Sequence, residues 1–193
     1  MAEVITLKKG QRIDVGLTKI SIGLGWDPNE SNGYKYDLDA SVFMLDINKK
    51  IPTANNFIFY GNLCSPCRSV IHTGDDETGE NSKDGDDENI KVDFSKIPTN
   101  IIEILIVVSI YEHQERKQNF GQVRNAYIRI VDDNTDTEIA KYELDEDFST
   151  ESALEFGRLY KRDNKWKFEA SGFGYKEDLA FFVKKYSSNI TIK

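Results

Sequence analysis

An all-β fold, a two-sheet β-sandwich with one short C-terminal helix, is what this sequence predicts, and three observations carry the prediction. Apolar and polar residues alternate with a period of two along much of the chain, as in Ile20, Ile22 and Leu24 against Ser21 and Gly23. Residues 101–110 form a continuous, β-branched apolar run that suits a central strand buried on both faces. Helical spacing occurs at residues 177–186, where Leu179, Phe182, Val183 and Tyr186 fall on one stripe.

From the N terminus, residues 4–45 read as short strands, the last of them residues 38–45, broken by Asp39. Residues 25–33 hold Pro28, Asn29, Asn32 and Gly33 and mark a loop. Residues 57–60 and 70–72 are further short strands on either side of a cysteine-containing loop. After the central run, residues 123–131 alternate again, and residues 138–144 follow an Asp/Asn/Thr turn. Residues 154–161 and 165–170 form a hairpin around Asp163 and Asn164, whose side chains tolerate the left-handed backbone such a turn needs. Many short strands separated by turn signals bury their apolar faces best by packing sheet on sheet.

With 193 residues, the chain is expected to be a single domain spanning residues 1–193. Its 39% apolar and 11% aromatic content excludes collagen-like, disulfide-scaffold and disordered classes. No apolar run approaches the roughly 18 residues that span a bilayer, and the first residues lack the pattern of a signal peptide, so the expectation is a cytoplasmic protein that is not an integral membrane protein. Basic residues are scattered among acids and form no stripe, which argues against nucleic acid as a partner. Cys64 and Cys67 stand as C-S-P-C; without two more ligands at zinc spacing or a βαβ context, the pair reads as two ordinary loop thiols.

The charge is concentrated. Residues 72–88 carry eight acids against Lys83, so nearly all of the net charge of −8 belongs to one loop. Carboxylates about 4 Å apart repel by on the order of 1 kcal/mol even in water, so an ordered loop of this kind needs a counter-charge. A divalent cation supplies it. Calcium accepts six to eight oxygens, and Gly79 and Gly85 let the chain turn so that neighbouring carboxylates converge. A second acidic group, Asp27, Asp37 and Asp39, adds ligands from firmer parts of the chain. Asp37 and Asp39 are two apart and share one face of a strand. Asp132, Asn134, Asp136, Ile139 and Glu143 imitate an EF-hand loop, yet Thr137 stands where that loop needs Gly and the flanks are strands, so a polar hairpin turn is the expectation.

Six stretches make the chain resemble the TerD family over nearly its whole length: Gly25-Trp26-Asp27, Asp37-Leu38-Asp39-Ala40-Ser41, the acidic segments 74–80 and 84–88, Phe120-Gly121-Gln122-Val123-Arg124-Asn125-Ala126-Tyr127-Ile128-Arg129, and Trp166-Lys167-Phe168. The resemblance implies a calcium-binding sandwich in proteins linked to tellurite resistance and general stress, with protein partners in a stress-response complex and no catalytic reaction. Carried over by position, it implies metal ligands among Asp27, Asp37, Asp39, Asp75, Asp76, Glu80, Asp84, Asp86, Asp87 and Glu88. Two alternatives remain open. One is a cyclic-nucleotide or other small-ligand binder using Arg124 and Arg129; the other is a metal-dependent phosphohydrolase built on the clustered carboxylates.

Overall fold

The structure, a computed structural model, describes residues 4–31, 33–79, 85–144 and 148–187. Two sheets pack face to face. The first has strand order β1 (Ile5–Thr6), β10 (Thr137–Glu143), β9 (Tyr127–Asp132), β3 (Lys19–Gly25), β7 (Glu88–Asp93) and β6 (Val70–His72). The second runs β2 (Arg12–Asp14), β12 (Lys165–Glu169), β11 (Ala153–Arg162), β8 (Glu103–Ile110), β4 (Leu38–Leu45) and β5 (Phe57–Ile58), with β13 (Phe173–Tyr175) also paired to β11. The neighbours are antiparallel except β1 and β10.

The predicted sandwich and C-terminal helix are both present. The run at residues 101–110 contains β8, which lies between β4 and β11 in the middle of its sheet. Ile104, Ile106 and Val108 turn into the core between the sheets, against Ile20, Ile22, Leu24, Ile90 and Ile128 from the opposite sheet. The other face of β8 presents Leu105 and Val107 to a second apolar cluster with Phe43, Phe57, Phe182 and Tyr186. That explains a run without polar alternation: both faces are covered, one by the opposite sheet and one by helix α2 (Leu179–Tyr186).

Asp178 starts α2 by accepting the Phe181 N–H at 3.0 Å, a cap that contributes about 1 kcal/mol. Fully buried Phe182 anchors the helix to the sheet, and its burial stabilises by roughly 2–3 kcal/mol. Among the described residues, no helix is long and apolar enough to cross a membrane.

Three local features differ from the sequence reading. β4 runs unbroken through Asp39, because its side chain points away from the core that Leu38 and Ala40 enter. The strand expected from residue 123 begins at Tyr127. Residues 120–122 form a 3-10 turn instead, tied by the Gln122 side chain accepting the Asn119 N–H, and Asn125 takes a left-handed φ of 52°. A four-residue helix, α1 (His113–Arg116), stands between left-handed Glu112 and Lys117. The hairpin turn at Asp163 and Asn164 has φ of 52° and 60°, as its residue types predicted.

Candidate metal centre

β4 and β7 belong to different sheets, and the site forms where their ends meet. On β4, the period of two sends Leu38, Ala40 and Val42 inward and leaves Asp39 on the opposite face. β5 covers the edge of β4 at Val42 and Phe43. Nearer the start of β4, the edge is completed by a side chain: the Ala40 N–H donates to Glu88 Oε2 at 2.6 Å. Glu88 opens β7 and pairs with Leu24, so the carboxylate that satisfies one sheet is carried by the other. Asp75, exposed in the connection between β6 and β7, completes the group. One oxygen each from Asp39, Asp75 and Glu88 lies within 4.8 Å of the others.

At such separations each charged pair repels by on the order of 3 kcal/mol at an effective dielectric of 20. Asp39 is 5% exposed and Glu88 2%, so water screens them little. Burial, then the neighbouring charges of Glu88, Asp37 and Asp75, pushes Asp39 up to about 8. Burial also pushes Glu88 up to about 9; the Ala40 N–H opposes this and Asp75 adds to it. Glu88 Oε1 is buried with no hydrogen-bond partner among the described residues. Two buried carboxylates driven toward their neutral forms, one with an oxygen that has no hydrogen-bond partner among the described residues, form a group whose charge a cation would offset.

Asp37 flanks this group in a different state. Its Oδ2 accepts Arg116 Nη1 at 3.1 Å, and Arg116 is held in turn by Glu112 and stacked over Tyr111 with 4.9 Å to the ring centroid. Burial raises Asp37 to about 6 against the pull of Arg116. The unforeseen helix α1 therefore serves to bring a guanidinium to the rim of the site. Beside Asp39 opens a cleft of about 320 Å³, walled by Tyr60, Ser109, Tyr111, His113 and the first turn of α2.

His72 was not foreseen. It is 2% exposed, and its Nε2 lies 3.5 Å from Glu88 Oε2. Its Nδ1 accepts the Gly74 N–H at 3.3 Å, which leaves the hydrogen of the neutral ring on Nε2, facing Glu88. Burial holds the His72 pKa below the usual histidine value. The available signal was the alternation of β6: His72 shares the inward face with Val70, while Ile71 between them is only half-buried.

Asp76 Oδ1 accepts the N–H groups of Thr78 and Gly79 and the Thr78 hydroxyl, fastening the acidic segment to itself. Asp86 makes a two-pronged ion pair with Arg129 at 2.7 and 2.9 Å and lies over Gly23, where a Cβ would meet its carboxylate at 2.1 Å. Tyr127 places its hydroxyl between the Gly85 carbonyl and Asp86 Oδ1. Asp87 Oδ2 accepts the Trp26 N–H at 2.8 Å. Asp27 accepts the Asn125 side-chain amide at 2.6 Å and is not part of the triad. Glu80 and Asp84 lie outside the described residues.

Trp26 backs the segment. Its ring packs under Gly79, where φ is +69° and a Cβ would come within 2.6 Å of the indole nitrogen. Asp132, the first residue of the EF-hand-like pattern, accepts the Asn134 N–H and the Thr135 hydroxyl within the hairpin turn joining β9 to β10.

Fold and site define a β-sandwich in which three carboxylates, from both sheets and the β6–β7 connection, converge into an all-oxygen group that could hold a metal ion. The chain belongs to the TerD family: the TerD domain model matches residues 3–186. It is 45% identical over 192 residues to general stress protein 16U of Bacillus subtilis, covering 96% of this chain and 98% of that protein. It is 44% identical over 190 residues to tellurium resistance protein TerD of Serratia marcescens, again covering 96% and 98%. A crystal structure of a homologue of telluride resistance protein TerD from Streptomyces coelicolor shares the fold, with a TM-score of 0.68 at 16% identity, covering 86% of this chain and 95% of that one.

Proposed function

We propose that this chain is a calcium-binding, non-enzymatic module of the stress-response and tellurite-resistance class. The observation that carries the reading is the convergence of Asp39, Asp75 and Glu88, two of them buried and driven toward their neutral forms. The donor set fits the ion. It is all oxygen, which suits a hard cation, and the orphaned Glu88 Oε1 is a ready ligand atom. Bound calcium supplies the positive charge that lets these carboxylates ionise in place. Asp39 and Glu88 then join the two sheets, and Asp75 draws the acidic segment onto them. The ordered segment, with the rim formed by Tyr60, Tyr111 and α1, is the surface offered to a protein partner.

Roles as a hydrolase or nucleotide receptor are less well supported. His72 lies behind Glu88, out of reach of a substrate, and Arg129 is engaged by Asp86 and Glu138.

The test is calorimetry and thermal melting with calcium. At 100 times the dissociation constant, mass action adds about 2.7 kcal/mol. For a chain of this size, that raises the melting temperature by roughly 5–10 °C. An unchanged transition and no heat at millimolar calcium would remove the basis for the proposal.

A further inference from the structure

The connection between β5 and β6 carries Cys64 and Cys67, both free and half-buried. Their spacing alone gives no reason to see more than loop thiols, but the groups around Cys67 do. A tight turn from Ser65 to Arg68, closed by the Arg68 N–H donating to the Ser65 carbonyl at 2.8 Å, places two serines beside the sulfur. Ser65 Oγ accepts the N–H groups of Ser69 at 3.1 Å and Val70 at 3.0 Å. Its lone pairs are thereby used, so its own hydrogen is left for Cys67 Sγ, 3.5 Å away.

Ser69 Oγ lies 2.9 Å from the same sulfur. The backbone N–H groups of Ser69 and Cys67 also favour the charged sulfur. Ser65 and Ser69 are 2% and 1% exposed, so these hydroxyls are set by the fold and are not shared with bulk water. Two buried hydroxyls converging on one sulfur favour its charged form. Burial raises the Cys67 pKa, yet the donors outweigh it and the net shift is downward. The adjacent charged residue, Arg68, is exposed.

We propose that Cys67 is a thiolate nucleophile with Cys64 as its resolving partner, making the C-S-P-C loop a dithiol site for low-molecular-weight disulfides. In the first step the Cys67 thiolate attacks one sulfur of the disulfide. A bond forms between them, the S–S bond of the reagent breaks, and the departing thiolate takes a proton from water. In the second step Cys64 gives its proton to water and attacks the Cys67 sulfur; the Cys64–Cys67 bond forms, the mixed-disulfide bond breaks, and the second small thiolate leaves and takes a proton from water. The two protein thiols lose two electrons, and the reagent disulfide is reduced to two thiols. Neither cysteine nor either serine belongs to the group formed by Asp39, Asp75 and Glu88, and the exchange chemistry requires no cation there.

The test is iodoacetamide labelling at pH 7 with peptide mapping, followed by reaction with glutathione disulfide read by intact mass. Cys67 should alkylate about tenfold faster than Cys64, as expected if it is the more ionised thiol. Ser69→Ala should slow Cys67 while leaving the melting temperature near that of the parent; it is preferred to Ser65→Ala, which also removes a support of the turn. With glutathione disulfide the parent should end as an internal disulfide, and Cys64→Ser should stop as a stable mixed disulfide on Cys67. Equal alkylation of the two cysteines, or no adduct on Cys67 in Cys64→Ser, would overturn the assignment.

Discussion

Calcium binding should expel protons, and the structure sets how many. With Asp39 at about 8 and Glu88 at about 9, both groups are largely protonated at pH 7 in the cation-free protein. Ligand oxygens must be ionised, so each bound ion should displace between one and two protons. Because the three carboxylates titrate as a unit, the release belongs to the group as a whole. The apparent affinity should weaken by about tenfold per displaced proton for each pH unit below 8. Between pH 8 and pH 6 the loss is therefore on the order of 100-fold to 10,000-fold.

The same groups set the pH dependence of the cation-free fold. Their folded pKa values lie above the unfolded ones near 4, so the folded state binds more protons. The sign is thus unfavourable on the alkaline side: stability falls as pH rises toward the folded values, by about 2.5 kcal/mol per unit at pH 7, easing to about 1.5 near pH 8.5. His72, held below its usual pKa, and the ion-paired carboxylates Asp14, Asp93, Asp133 and Glu169, held below theirs, act at lower pH; Cys67, whose hydroxyl donors outweigh burial and lower its pKa, acts in this window with the opposite sign and offsets part of the loss.

The assay is isothermal calorimetry of calcium binding in buffers of different ionisation enthalpy at pH 7, with melting curves from pH 7 to 8.5. Heats that do not depend on the buffer, together with an affinity that is flat from pH 6 to 8, would refute the argument.

Three further outcomes follow from the geometry. Gly79→Ala touches no ligand atom, yet it forces a Cβ to within 2.6 Å of the buried Trp26 indole at a φ of +69°; the cation-free melting temperature should fall by a few degrees and calcium affinity at least several-fold, by melting curves and titration. Arg129→Ala leaves Asp86 beside Gly23 without its ion-pair partner, and should cost about 2–4 kcal/mol by urea unfolding. Asp39→Asn should abolish detectable binding while raising the cation-free melting temperature measured above pH 8, because a buried ionisable group has been exchanged for a neutral one.

Much of the fold was legible because strand alternation and the unbroken apolar run report directly on which faces are covered. Leu38, Ala40 and Val42 face the core while Asp39 does not, as the period of two requires. Helix α1 was not legible: four residues carry no periodicity, and what holds them is Arg116 reaching Asp37, 79 positions away in the chain. In the site, charge density marked residues 72–88 and the i, i+2 spacing marked Asp37 with Asp39. The sequence could not sort the acids by task. Asp86 and Asp87 look identical to Glu88 in composition, yet one pairs with Arg129 and the other caps the Trp26 backbone, and those partners are set by which sheet neighbours β3 acquires. His72 went unrecognised for the same reason, since its partner Glu88 adjoins it only after β6 and β7 pair.

The position of the triad gives the cation a structural consequence beyond local ordering. Asp39 belongs to one sheet, Glu88 to the other, and Asp75 to the segment between β6 and β7. At this edge of β4, beyond the reach of β5, the Ala40–Glu88 hydrogen bond already ties the two sheets. Repulsion among three carboxylates works against that tie whenever they ionise, and a shared divalent ion converts the repulsion into attraction. Amide exchange at residues 38–41 and 86–90 should therefore slow together when calcium binds, while β11 and β12, at the other side of the sheet, should exchange as before. Protection confined to residues 74–79 would mean that the ion orders a loop and leaves the joint between the sheets as it was.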